Sequence, residues 1–345
     1  MAVAAIAACT KSEVEYTNLN EISIAPVASN VTKSVAGYNG DTFDGVFPTA
    51  VNLYVFANAS NDGGTAWEDP YFKNALFVHS TAKGSEDTQT FDGKNYATTG
   101  AYAGQPTRYW PNVKTLKFAG YSDACNVSTL TPTMNTDLSA LTINGYVQDN
   151  TKIAEGANDL MWFPVTSAYG KSEGEIPAQM KHACSWITIK VAGDDVTAGK
   201  WTLNSLVVKA LKHSGNVVCN ATTAQWTLTG EGVDEEYYKP TTGTTFTEEY
   251  VKYEKNTNNF IVLPQTPTSL DVTYTYTSQE AVGSAPAITL TETKNVPLTF
   301  NGTDSWAPGV HYIYNVLITA TEILIDPVVV DWTNYTGNDI AKEVK

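Results

Sequence analysis

The stretch SWAPGVHYIYNVLI, Ser305 to Ile318, decides the fold class. Its Pro308-Gly309 step marks a turn, and behind it Val310, Tyr312, Tyr314, Val316 and Ile318 recur at every second position. That period places all five on one face of a strand, and the face is apolar enough to be core. His311 falls on the opposite face and is predicted to be solvated. The same period returns in VNLYVF (Val51, Leu53, Val55) and in WITIKV (Ile187, Ile189, Val191). In LDVTYTYT, Leu270, Val272, Tyr274 and Tyr276 alternate with Asp271, Thr273, Thr275 and Thr277. These patterns predict half-buried strands of antiparallel sheets. Between the strands fall Asn39-Gly40, Asp44-Gly45, Asp62-Gly63, Asp92-Gly93, Asn144-Gly145 and Asn301-Gly302, pairs that tolerate positive φ and close hairpins. Helical periodicity is scarce. The predicted fold class is all-β, built of antiparallel β-sandwiches.

At 345 residues the chain exceeds what one hydrophobic core usually fills. The strand pattern gives way to Gly, Ser and charge in SAYGKSEGEIP, Ser167 to Pro177. The expected organisation is therefore a leader remnant over residues 1–10, an N-terminal domain over 11–170 and a C-terminal domain over 171–345. The segment Glu231 to Asn259 is the most charged of the second half and is predicted to be a long loop or edge hairpin. Lys and Arg total 21 against 36 Asp and Glu, a formal charge of −15. Such a surface repels polyanions, which excludes nucleic acid as a partner.

Near the start, Ile6-Ala7-Ala8-Cys9 has the form of a bacterial lipobox: an aliphatic residue, two small ones, then the cysteine that is acylated. The basic n-region of a secretory signal is missing. No later segment approaches the ~20 apolar residues of a membrane-spanning helix, so attachment to a membrane would run through lipid on Cys9. Cys125, Cys184 and Cys219 permit at most one bridge and are expected to be buried thiols. The four histidines are scattered, which gives no metal spacing. Three motif matches fail on context. Gly170-Lys171-Ser172-Glu173-Gly174 matches G-x-S-x-G, but Pro177 follows within a turn and no helix opens there. Val165 stands where a phosphate-binding loop needs its first glycine. Asn58, Ser60, Asp62, Gly63 and Asp69 sketch a calcium loop without its helix pair and read better as a polar hairpin. The acidic pairs Asp194-Asp195 and Glu235-Glu236 point to opposite faces of a strand and cannot act together. No catalytic, cofactor-binding or metal-binding residue is predicted.

SWAPGVHYIYNVLITATEILIDPVVVDW resembles the C-terminal signature of the fimbrillin-like proteins, the type V pilins of Bacteroides-type bacteria. Trp306, Pro308, Gly309, Tyr312, Tyr314, Ile323 and Trp332 carry the likeness. TFDGVF (42–47), RYWP (108–111), LKFAGYS (116–122), DLMWF (159–163), HACSWITIKV (182–191) and FIVLPQ (260–265) follow in the order of that family.

The resemblance implies two tandem transthyretin-like β-sandwich domains in a lipoprotein exported to the cell surface and anchored in the outer membrane through Cys9. It implies processing and polymerisation into a fimbria with other pilin subunits, in the service of adhesion to surface glycan or protein. Polymerisation of this kind is strand exchange: a lost first strand leaves an apolar groove with unpaired backbone, and another subunit fills it. The strand to be lost is NEISIAPVAS, with Ile22 and Ile24 inward and Pro26 at a bulge or strand end. Stalk pilins of the family are cut after a basic residue, often Arg. Lys33 stands at the corresponding place here, and the sole arginine is Arg108. DPVVVDWTNYTGNDI is the candidate donor, with Val328, Val330 and Trp332 on one face; the alternative is a last strand pairing within its own domain. A competing function is a non-polymerising glycan-binding lipoprotein, in which Trp67, Tyr71, Phe72, Tyr109, Trp110, Tyr237 and Tyr238 would stack on sugar rings.

Overall fold

The structure, a computed structural model, describes residues 21–28, 52–62, 64, 66–67, 70–79, 91–92, 108–112, 114–149, 158–170, 175–193, 201–245, 248–253, 260–279, 286, 288–298, 305–319 and 323–331. Among these the protein is nearly all β, as its alternating sequence predicts. Numbered along the chain, seven strands close a barrel: β1 (Ser23–Ala28), β4 (Phe91–Asp92), β3 (Pro70–His79), β2 (Leu53–Ser60), β5 (Thr115–Ser122), β8 (Met161–Phe163) and β9 (Ile176–His182), the last pairing back to β1. Ile22, Ile24, Leu53, Val55, Phe77, Phe118, Phe163 and Ile176 fill its interior, each no more than 1% exposed.

Two further sheets face each other over a second core. One holds β16 (Val251–Tyr253), β10 (Ser185–Gly193), β20 (Val310–Ile318) and β21 (Ile323–Asp331), with β17 (Phe260–Val262) also on β10. The other holds β14 (Val233–Tyr238), β11 (Trp201–Leu211), β18 (Ser269–Gln279) and β19 (Ile288–Pro297), with β15 (Thr244–Thr245) on β11. Tyr312, Tyr314, Val316 and Ile318 point into this core from β20, and Leu270, Val272 and Tyr274 meet them from β18, as the alternation predicts.

A fourth sheet was not legible in the sequence. It orders β13 (Ala224–Thr229), β12 (Ser214–Cys219), β7 (Leu141–Val147) and β6 (Thr133–Met134), so β7 pairs with β12 across the boundary expected near residue 170. It packs on a third core lined by Phe56, Tyr121, Trp162, Trp186 and Ile313, together with a 3-10 turn over Ala124–Leu130. This covering sheet changes the environment of its neighbours. Read as half-buried, β2 and β10 are instead buried on both faces along most of their lengths. His311, expected in solvent, is fully buried: its ring stacks on Trp186 at 3.7 Å, and its Nε2 lies 2.8 Å from Thr188 Oγ1.

Two local expectations also shift. Asn144-Gly145 lies inside β7 rather than in a hairpin turn; Gly145 takes φ +73°, and its N–H donates to Asn216 Oδ1 at 2.8 Å beside an irregularity in the β7–β12 ladder. The charged stretch from Glu231 contributes the edge strand β14 together with β15 and β16. Its Lys209–Asp234 ion pair sits on the rim, where such pairs contribute little.

Candidate assembly site

The strand that the sequence marks for removal is the one that closes the barrel. Ile22 and Ile24 are both 0% exposed. Along β9 the pairing is parallel and runs from Ile24 opposite Ile176 to Ala28 opposite Met180. On its other side, among the described residues, β1 meets β4 at two positions, Ser23 opposite Asp92 and Ile24 opposite Phe91. Just before it, Glu21 bridges Tyr109, and the Ile22 N–H donates to the Arg108 carbonyl at 2.9 Å. Residues 108–110 thus clasp the start of the strand: Tyr71 OH donates to the Tyr109 carbonyl at 2.9 Å, and the Arg108 guanidinium lies 5.8 Å from the Phe72 ring centre.

This arrangement explains Pro26. N–H groups two residues apart on a strand point the same way, so the nitrogen of Pro26 lies on the side where Ile22 N–H meets Arg108. Among the described residues β4 does not reach that far along β1. Among the described residues, the proline therefore removes no ladder hydrogen bond and needs no bulge.

At the other end of the chain, the turn before β20 is held by its own tyrosines. Trp306 Nε1–H donates to Tyr314 OH at 2.9 Å, and Ala307 N–H donates to Tyr312 OH at 2.8 Å. Burial pushes the Tyr314 hydroxyl well above the usual tyrosine range, so it stays a neutral donor and acceptor. Gly309, at φ +71°, gives its N–H to the Cys184 carbonyl at 2.8 Å, and Ser185 Oγ donates to the Ala307 carbonyl at 2.8 Å. Trp, Pro-Gly and Tyr-x-Tyr are close in sequence because they bond one another. The turn locks β20 onto the join between β9 and β10.

β21 follows and ends its sheet, paired antiparallel to β20 from Val310 opposite Asp331 to Ile318 opposite Ile323. Ile323 and Ile325 are only partly buried against the second core, while Leu324 is 47% exposed. Val328 and Val330 pair with Ile313 and His311. Trp332, Cys9 and Lys33 lie outside the described residues.

Among the described residues, the remaining sequence candidates hold no metal-binding cluster; Lys171 to Gly174 and Asp194-Asp195 lie outside the described residues. Asp62 accepts from Ser60 Oγ at 2.5 Å and from the Ala66 N–H at 3.0 Å, so its carboxylate is engaged by its own turn; Gly63 and Asp69 of the would-be calcium loop lie outside the described residues. Asn58 faces inward and donates to the Thr136 carbonyl. Cys125, Cys184 and Cys219 are thiols; Cys125 Sγ accepts from the Asp149 N–H at 3.2 Å, and burial raises the Cys184 and Cys219 thiols far above their ordinary range. Of the aromatic residues proposed as a sugar platform, Phe72, Trp110 and Tyr237 are core residues. Sequence reasoning missed the buried pair of His182 Nδ1 and Asp159 Oδ2, 2.6 Å apart, beside the β9–β10 join. Its members lie apart in sequence and carry no spacing signal.

Comparison with known proteins follows this geometry. Among curated proteins, none matches. Among solved structures, a fimbrial protein from Bacteroides vulgatus is similar at 14% identity, with 91% of this chain and 100% of that chain covered and a TM-score of 0.58. The tip fimbrial protein Mfa3 from Porphyromonas gingivalis, with a C-terminal truncation, gives 10% identity, coverage of 91% and 99%, and a TM-score of 0.43. A fimbrial assembly protein from Parabacteroides distasonis gives 13% identity, coverage of 91% and 96%, and a TM-score of 0.39. The first of the three shares the overall fold. A family model described as fimbrillin-like matches residues 59–332, most of the sequence. The chain belongs to the fimbrillin-like family.

Proposed function

We propose that this protein is a structural subunit of a cell-surface fimbria, assembling with other pilin subunits by strand exchange and serving adhesion rather than catalysis. The observation that carries the reading is the seating of β1, the first described strand: its Ile22 and Ile24 are fully buried, yet among the described residues its far edge meets β4 at Ser23 and Ile24 alone. Cleavage at Lys33 would free β1 and open a groove lined by Ile176, Ala178 and Met180. An extended segment from a second subunit would restore both the apolar contacts and the backbone ladder. The C-terminal segment from β21 onward supplies that donor. Acylated Cys9 tethers the unprocessed subunit to outer-membrane lipid. Family membership supports this reading. The glycan-binding alternative loses support with the burial of Phe72, Trp110 and Tyr237.

The test is mass spectrometry of protein extracted from the cell surface, alongside unheated SDS gels. Stalk assembly predicts a mature N-terminus at Ser34 and a ladder of detergent-resistant oligomers. An intact chain that begins at acylated Cys9 and runs as a monomer would refute it.

A further inference from the structure

The sheets of the second core end in edge strands, and β19 is unlike the others. Among the described residues its strand partner is β18, which leaves its other backbone edge open along a strand of 10 residues. Open edges invite another chain, and proteins blunt them by shortness, proline or like charges. The other edges of these sheets are blunted in those ways. β16 has 3 residues, β14 sets Asp234, Glu235 and Glu236 in a row, and β21 carries Pro327 beside Asp326. In the fourth sheet, the edge strand β13 holds no charge that could set a register. β19 has its proline at the last position, Pro297, and one pair of opposite charges, Glu292 and Lys294.

Its two faces alternate. Thr291 and Thr293 lie on the outer face, their hydroxyls 2.8 Å and 2.9 Å from those of Thr275 and Thr273 on β18. Leu290, Glu292, Lys294 and Val296 share the core-facing side, opposite Tyr276, Tyr274, Val272 and Leu270. Val296 is partly buried against the second core, whereas Leu290 is 53% exposed and overhangs it. Lys294 Nζ lies 3.0 Å from Glu292 Oε2.

We propose that the open edge of β19 receives β19 of a second copy, antiparallel, about a two-fold axis through Thr293. Residues directly opposite in such a pair share a face. Only the register centred on Thr293 sets Glu292 opposite Lys294 in both directions; centring on Glu292 or on Lys294 sets like charges against each other. The same register sets Leu290 opposite Val296 and Thr291 opposite Asn295, so apolar meets apolar on one face and polar meets polar on the other. The contact is self-complementary, as a two-fold interface must be. Both backbones gain a ladder, and Leu290 gains an apolar neighbour. Glu292 and Lys294 cancel, so the strand is neutral on a chain of formal charge −15 and local repulsion does not oppose the pairing. A lone strand pair is a small interface and therefore a weak one. It displaces no strand and needs no cleavage. In the fimbria proposed above it would recur at every subunit, and many weak contacts in parallel would hold filaments side by side.

The experiment uses the full chain with Cys9→Ser as parent, followed by sedimentation equilibrium up to millimolar concentration. The expected result is a reversible dimer. Glu292→Lys and Lys294→Glu each weaken it at least about tenfold, because like charges then face each other. Mixed together, the two variants associate about as tightly as the parent, since two lysines of one chain then face two glutamates of the other. Under mild oxidation Thr293→Cys, on the axis, forms disulfide-linked dimers faster than the parent, while Thr291→Cys and Asn295→Cys do so only when mixed with each other. A parent that stays monomeric, or a charge-reversed mixture no tighter than its components, would overturn the pairing. Equal cross-linking from each of the three cysteine variants alone would overturn the register. None of these variants touches β1 or β21, so failure here leaves the strand-exchange reading standing.

Discussion

Truncating Ile24 to alanine measures how firmly β1 belongs to the barrel. Its side chain is 0% exposed and packs in one cluster with Phe72, Phe77, Trp110 and Ile176. Deleting the buried carbons of an isoleucine at such a site costs about 2–5 kcal/mol, the transfer term plus the cavity left behind. Ile325, only partly buried on β21, provides the control: the same truncation there loses less apolar burial and costs about 1–2 kcal/mol. Because β1, the first described strand, is paired mainly to β9, the loss need not spread to the whole protein. Native-state hydrogen exchange at the β9 amides facing β1 is therefore the assay, since it reads detachment of β1 as well as global unfolding. A cost of 2 kcal/mol or more accelerates exchange roughly 30-fold or more, at a factor of ten per ~1.4 kcal/mol. Acceleration below about threefold in Ile24→Ala, or no greater than in Ile325→Ala, would show that β1 does not complete the barrel.

Three other outcomes are expected. Tyr314→Phe removes the acceptor of the buried Trp306 indole N–H and costs about 1–3 kcal/mol; an unchanged thermal midpoint would contradict the role given to the Trp–Tyr pair. Gly120→Ala would set a Cβ 2.5 Å from both the Tyr54 carbonyl and the Phe163 ring, so it destabilises by about 1–3 kcal/mol or more in a urea titration, and wild-type stability would contradict the packing of β5. His311 is held neutral by burial and by the nearby charges of Lys252 and Lys190, so its folded pKa lies well below the unfolded value of 6.5. The stability due to its neutral form is therefore complete above about pH 6.5 and is lost as pH falls, by at most ~1.4 kcal/mol per unit. Comparing denaturant midpoints between pH 7 and pH 5 should show a steeper loss in the parent than in His311→Gln; equal slopes would refute it.

The half-buried Thr face of β18 and the buried Tyr face of β20 follow directly from a period of two, because successive side chains on a strand must point to opposite sides. The inward setting of Ile22 and Ile24 is equally local. The partner of β1 is not: its ladder to Ile176–Met180 is parallel and spans much of the chain, and no turn residue announces it. His311 shows the same limit. Alternation places it opposite the tyrosines, and only the arrival of Trp186 and the covering sheet decides that this opposite face is also interior.

By itself, then, the sequence determined the all-β class, the inward residues of its clearest strands and the family signature in the Trp–Pro-Gly–Tyr-x-Tyr turn, all of which depend on spacings of a few residues. Only the tertiary structure decided that β7 and β12 form one sheet over a third core, that Pro26 lies past the described reach of β4, and that the first described strand seals the barrel. Those outcomes depend on which distant backbones come to lie side by side, and hydrophobic periodicity reports that a face is buried without reporting what buries it.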